Sequence, residues 1–159
     1  MIPLSIAHRL ISFEGGEHEV VARARRIAQR AHADQVDQAG NPYIDHVRRV
    51  AEAVADDPVA CALGWLHDVK EDHPEFSAEI DANFDPEFVA WIDLLTRKDT
   101  NVEAYYAALI AQPRPLRVKK ADVEDNSNEG RLSLLEPQLA ERLRRKYAKA
   151  RRLLNETDS

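Results

Sequence analysis

The sequence predicts an all-α domain. Three observations predict it. Apolar residues recur at helical spacing along nearly the whole chain, runs rich in Val, Ile, Thr and aromatics are scarce, and the five glycines and eight prolines sit mostly at segment edges. The first helix is expected from about Glu17 to His32, where Val20, Val21, Ala24, Ile27, Ala28 and Ala31 share one face. The stretch Asp34 to Pro42 then breaks it, because Gly40 offers an easy left-handed residue and Pro42 cannot continue a helix. A second helix follows from about Tyr43 to Ala55, with Ile44, Val47, Val50, Ala51 and Val54 as its stripe.

A third helix starts at Pro58, a favoured first-turn residue, and is expected to run on until just before Pro74. Its segment Ala60–Leu66 is apolar all round, the mark of a buried central helix. Asp85 and Pro86 read as a cap and a first-turn proline for a fourth helix within Phe84 to Thr96. Asn101 to Gln112 is a fifth, with Val102, Tyr105, Tyr106 and Leu109 inward. Pro113 and Pro115 punctuate, and Leu116 to about Asn126 is a sixth. Glu136 to Leu154 is the last, apolar along Leu139, Leu143, Tyr147, Ala150 and Leu154 and heavily basic opposite, which reads as a packed terminal helix with a solvated face. The tail after Leu154 is expected to fray.

The 159 residues fit one domain, 1–159, long enough to bury a core without disulfides. With 22 basic and 28 acidic residues the formal charge is −6, a poor basis for binding nucleic acid. An apolar content of 44% argues against disorder. No apolar run is long enough to span a membrane, and MIPLSIAHRL is too soon interrupted by charge for a signal peptide. Cys61 is the single cysteine, so a thiolate zinc site is excluded and a reducing, cytoplasmic setting is expected. Six histidines and many acids leave a His/carboxylate metal site open.

Chemistry concentrates at His67-Asp68-Val69-Lys70-Glu71-Asp72, the end of an otherwise apolar helix. Ionisable groups there are costly unless compensated. On a continuous helix His67/Glu71 and Asp68/Asp72 are i, i+4 pairs on neighbouring stripes, presenting an imidazole and three carboxylates to one side. Two other segments join it. Gly40-Asn41-Pro42-Tyr43-Ile44-Asp45-His46 is a constrained loop entering a helix, and Val118–Asn126 puts Asp122 and Asn126 on one face. His46, His67, Asp68 and Asp122 together form a hard N/O set suited to manganese, iron or another divalent transition metal more than to calcium. Lys119 and Lys120 are candidates for phosphate contact, with Arg97, Lys98 and Arg131 behind them. Tyr105, Tyr106 and Cys61 read as packing residues, and His32 as a core hydrogen-bonding residue.

The order AlaHis…Gln…AlaGly-x-ProTyr-x-x-His (His32 to His46), LeuHisAsp-x-x-GluAsp (Leu66 to Asp72) and ValLys-x-AlaAsp-x-x-x-Asn (Val118 to Asn126) resembles the hydrolase domain of the RelA/SpoT family. In size the chain is similar to the stand-alone small alarmone hydrolases. The resemblance implies an HD-domain helical bundle holding one manganese ion and a reaction that removes the 3′-pyrophosphate from guanosine tetra- or pentaphosphate. It implies His46, His67, Asp68 and Asp122 as metal ligands, Glu71 and Asp72 as the acids that position and activate water, and Asn126 near the ribose and phosphate. The expected partner is a small nucleotide, not a nucleic acid or a membrane, with the oligomeric state left open. Some stand-alone members act on other nucleotides such as NADPH. A phosphatase of that kind and a non-catalytic HD module binding through the basic last helix are the alternatives.

The chain departs from the pattern at three places. Asp37 and Gln38 stand where the family has a basic residue that stacks on guanine, Val47 replaces the usual proline after His46, and Val123-Glu124-Asp125 replaces a more basic stretch after Asp122.

Overall fold

A computed structural model describes residues 18–97 and 101–155, and the described residues contain no β-strand beyond an isolated bridge between Val36 and Pro42. Lys98, the MIPLSIAHRL segment, the expected start at Glu17 and the tail after Asn155 lie outside the described residues. The expected all-α architecture is present. Helix α1 is Glu19–Ala31, α2 Tyr43–Ala53, α3 Pro58–Leu66, α4 Val69–Asp72, α5 Ser77–Asn83, α6 Pro86–Leu95, α7 Val102–Ile110, α8 Pro113–Asn126, α9 Glu129–Leu132 and α10 Pro137–Asn155. None of these helices is long and apolar enough to cross a membrane.

The all-apolar α3 is the axis of the bundle. Val59 to Leu66 are all buried, and α1, α2, α6 and α8 pack around them. Asp57 starts α3 by accepting from the amides of Val59 at 3.1 Å and Ala60 at 3.4 Å, and Pro58 fills the first turn. At Gly64 the helices α2 and α3 nearly touch, since a Cβ there would lie 2.8 Å from the Ala51 Cα. Gly64→Ala should therefore cost about 1–3 kcal/mol by forcing the helices apart, despite alanine's better helix propensity. The urea midpoint checks this, and an unchanged or higher midpoint would contradict the close crossing.

Four local expectations need correction. The third helix is not continuous to Pro74; it ends at Leu66, turns through His67 and Asp68, and resumes as α4. His67 Nδ1 bonds the Gly64 carbonyl at 2.7 Å, the same carbonyl the Asp68 amide would use in a continuing helix. Pro113 and Pro115 do not precede the sixth helix but lie in the first turn of α8, where amides have no intrahelical acceptor to lose. Asp85 occupies the cap position of α6 without a side-chain cap bond. Helix α5, built on the single buried Ile80 between Phe76 and Phe84, was not expected.

The basic last helix packs as expected, through Ala140, Ala150, Leu153 and Leu154, against α7, α8 and α9.

Candidate active site

The break after Leu66 shapes the site. Consecutive residues on a straight helix diverge by about 100°. The turn instead lets His67 and Asp68 aim at one point, with Nε2 and Oδ2 3.0 Å apart. His46 arrives from the first turn of α2, and Asp122 from the middle of α8. One ligand atom from each of His46, His67, Asp68 and Asp122 lies within 4.8 Å of every other, in a buried cluster able to hold a metal ion. The Asp122 Oδ1 is 3.0 Å from His46 Nε2 and 3.3 Å from His67 Nε2.

The hydrogen bonds fix how these groups face. His67 Nδ1 meets a carbonyl and His46 Nδ1 meets the Asp125 carboxylate at 2.6 Å, so each Nδ1 must be the donor. Each neutral ring then presents an Nε2 lone pair to carboxylates that are themselves acceptors only. Four acceptors aimed at one another require a cation between them, whether protons or a metal ion. Proton affinity shows the same demand. Burial alone would lower both histidines, yet the carboxylates of Asp122 with Asp125 carry His46 above its ordinary value, and those of Asp68 with Asp122 carry His67 well above it. Against the cost of its own burial, the His67 charge pushes Asp68 down to about 2. The donor chemistry thus fits a divalent transition ion, with two nitrogens and two carboxylate oxygens.

Neighbouring groups hold the ligands in place. The Tyr43 hydroxyl donates to Asp68, Asn126 Nδ2 donates to Asp122 Oδ1 at 3.0 Å, and Lys119 Nζ donates to Asp122 Oδ2 at 3.0 Å. Lys119 is largely buried, yet nearby Asp122 raises its proton affinity against the cost of burial.

A cavity of about 520 Å³ opens over the cluster, lined on the cluster side by His67, Asp68, Glu71, Asp72, Lys119, Asp122 and Asn126. His46 is buried and does not line it. The lining also includes the apolar Leu132, Leu135 and Leu143, the ring of Tyr147, and the basic residues Arg97, Arg131 and Lys146. Of the lysine pair only Lys119 reaches this cavity; Lys120, the next residue round the helix, does not line it. Lys70, inside the same polar run as His67, turns away to bond Asp81 at 2.6 Å and Asp93 at 2.8 Å, tying α4 to α5 and α6.

Glu71 and Asp72 are acids on the cavity wall, each still open in part to solvent. Glu71 accepts the Arg97 amide at 2.9 Å, and partial burial raises its proton affinity above the ordinary carboxyl value. Asp72 is held by Gln35, whose Nε2 donates to it at 3.1 Å. The amide oxygen of Gln35 accepts from His32 Nδ1 at 2.7 Å and His73 Nε2 at 2.6 Å, which fixes the amide's orientation. His32 has the core hydrogen-bonding role expected of it.

Asp37 also lines the cavity. Its Oδ1 closes the loop by accepting from Ala39 and Asn41 amides, each at 2.9 Å, around Gly40 at φ 88°. Across from it stands Arg131, with Nη1 3.9 Å from Asp37 Oδ2.

No protein-family model matches the chain. It is 29% identical over 130 residues to a guanosine-3′,5′-bis(diphosphate) 3′-pyrophosphohydrolase of Haemophilus influenzae, an alignment that takes in 74% of this chain and 19% of that protein. It is 29% identical over 115 residues to a GTP pyrophosphokinase of Streptomyces coelicolor, across 64% of this chain and 14% of the relative. A 3′-pyrophosphohydrolase of Borreliella burgdorferi is 36% identical over 84 residues, 51% of this chain and 13% of its own length. The chain thus spans less than a fifth of the length of each of these relatives. Among solved structures, a metazoan orthologue of SpoT, described as hydrolysing ppGpp, superposes with a TM-score of 0.73 at 18% identity over 91% of this chain and 90% of its own. In sequence and in its all-helical fold, the chain resembles the hydrolase domain of the RelA/SpoT family.

Proposed function

We propose that this domain is a metal-dependent nucleotide phosphohydrolase that removes the 3′-pyrophosphate from guanosine tetra- or pentaphosphate. The observation that carries the reading is the convergence of His46, His67, Asp68 and Asp122 beneath a cavity that Glu71 and Asp72 also line. The activities for which the Haemophilus and Borreliella relatives and the metazoan SpoT orthologue are named support the substrate. In this reading the four residues hold one divalent transition ion; the donor set suits several such metals, and manganese is the one that the resemblance to the hydrolase family implies. When bound, such an ion supplies Lewis-acid chemistry, acidifying water and offsetting charge on phosphoryl oxygens.

The remaining steps belong to the side chains. Glu71, with its raised proton affinity, and Asp72, steadied by Gln35, orient a water and take its proton. The water oxygen bonds to the 3′-phosphorus, the bond from phosphorus to the ribose 3′-oxygen breaks, that oxygen takes up the proton that the acid pair removed from the water, and pyrophosphate departs. Lys119 and Asn126 keep Asp122 ionised and oriented while lying along the substrate cavity. Lys120 keeps no substrate role in this reading, because it does not line the cavity. The buried lone Cys61 suits an enzyme of the reducing cytoplasm.

Asp37 favours a second reading, in which the same chemistry acts on a nucleotide with another base. A carboxylate accepts hydrogen bonds from a base edge but cannot supply a cationic stacking surface. One panel separates the two readings. Guanosine, adenosine and pyrimidine nucleotides bearing a 3′-pyrophosphate, incubated with manganese, should show highest kcat/KM for guanosine. Preference for another base would move the assignment to the second reading.

A further inference from the structure

We infer that Asp125 is a positioning residue for the metal centre, one that fixes His46 as a ligand through its far ring nitrogen. The inference rests on the proposed metal site but not on the identity of the substrate. Asp122 and Asp125 lie three residues apart on α8 and so share a helix face. They grip the two nitrogens of one imidazole, Asp122 Oδ1 at 3.0 Å from Nε2 and Asp125 Oδ2 at 2.6 Å from Nδ1. His46 is almost fully buried at 1% exposure, so no water competes for either nitrogen.

The Asp125 carboxylate is itself clamped. Arg49, one turn along α2 from His46, donates Nε to Oδ1 at 2.8 Å and Nη2 to Oδ2 at 3.2 Å. Arg131 of α9 comes within 3.2 Å of Oδ2 and also donates to the Asp125 backbone carbonyl. Two guanidiniums hold the acid in one orientation and balance its charge. A carboxylate accepting the Nδ1 proton makes Nε2 the lone-pair nitrogen and a stronger donor to a metal. The role falls on a position where this chain departs from the family pattern, so it comes from the geometry and not from the resemblance.

The test is calorimetric titration of the purified protein with manganese chloride. Asp125→Asn should weaken manganese binding by about 10–100-fold, the usual cost of losing such a partner. Arg49→Gln loosens the clamp but leaves the His46–Asp125 bond and the Arg131 contact, and should weaken binding by clearly less than Asp125→Asn does. A folded Asp125→Asn protein that binds within about fivefold of wild type would overturn the inference. So would an Arg49→Gln loss as large as that of Asp125→Asn, which would make the cluster a mere ion-pair scaffold. If Asp125→Asn fails to fold, proton–nitrogen correlation spectra of the zinc-loaded wild type decide. They should show a downfield, slowly exchanging Nδ1 proton on His46; an unprotonated or rapidly exchanging Nδ1 would overturn it. Wild type that binds neither metal would overturn the metal centre itself, an outcome distinct from unequal variants.

Discussion

Asp68→Ala is expected to abolish stoichiometric manganese binding and to lower turnover of ppGpp by about 10³-fold or more, the scale of losing several kcal/mol of charge stabilisation. Asp68 stands within 3.0 Å of His67 Nε2 in the four-residue cluster, so its loss leaves three ligands and one fewer negative charge to hold a cation. The fold should survive. Asp68 follows the end of α3, and its loss takes one of the two carboxylates that face His67, which keeps Asp122. It also strands the Tyr43 hydroxyl, which borders the cavity and costs about 1–3 kcal/mol if left unpaired. Calorimetric titration and turnover on the same preparation check the prediction. Retained activity in a metal-free Asp68→Ala protein would mean that the cluster is not where the chemistry occurs.

Asp122→Ala is expected to act on stability as well as on metal binding. Lys119 is largely buried, and its ammonium lies 3.0 Å from Asp122 Oδ2. Removing the carboxylate leaves that cation unpaired and takes the acceptor from Asn126. Breaking a buried pair from one side costs about 3–5 kcal/mol, far more than the intact pair contributes. The double variant Lys119→Met with Asp122→Ala should recover much of the loss, because no charge is then stranded. Urea unfolding of the three proteins without metal makes the comparison. Equal stability of the single and double variants would show that the Lys119 charge finds another partner.

The helical class was legible because burial imposes period. The stripes of α1 and α2 and the all-apolar α3 are the residues that fill the core. Helix α5 escaped because one buried residue, Ile80, sets no period. The break at His67 escaped because its cause is a side-chain bond to Gly64, which competes locally with the backbone ladder and leaves the apolar pattern of α3 untouched. That break matters for function, since two consecutive residues can converge only where the helix stops.

The four candidate ligands were legible as residue types at motif spacing, but their meeting was not. The contacts of His46 with Asp122 and of His67 with Asp122 cross 76 and 55 residues of chain. The supporting groups were harder still. Gln35 reaches Asp72 across 37 residues and Asp125 reaches His46 across 79, and neither carries a local pattern that announces its partner. For Asp125 one signal was present: an acid three residues after Asp122, on the same face of the same helix.

The most direct measurement is ppGpp turnover in ¹⁸O-labelled water with manganese, with products separated by anion exchange and read by mass spectrometry. Attack on the 3′-phosphorus by a water oriented at Glu71 and Asp72 predicts GDP without label and pyrophosphate carrying one ¹⁸O. Label in the nucleotide, orthophosphate in place of pyrophosphate, or ppGpp left unconsumed would contradict the account.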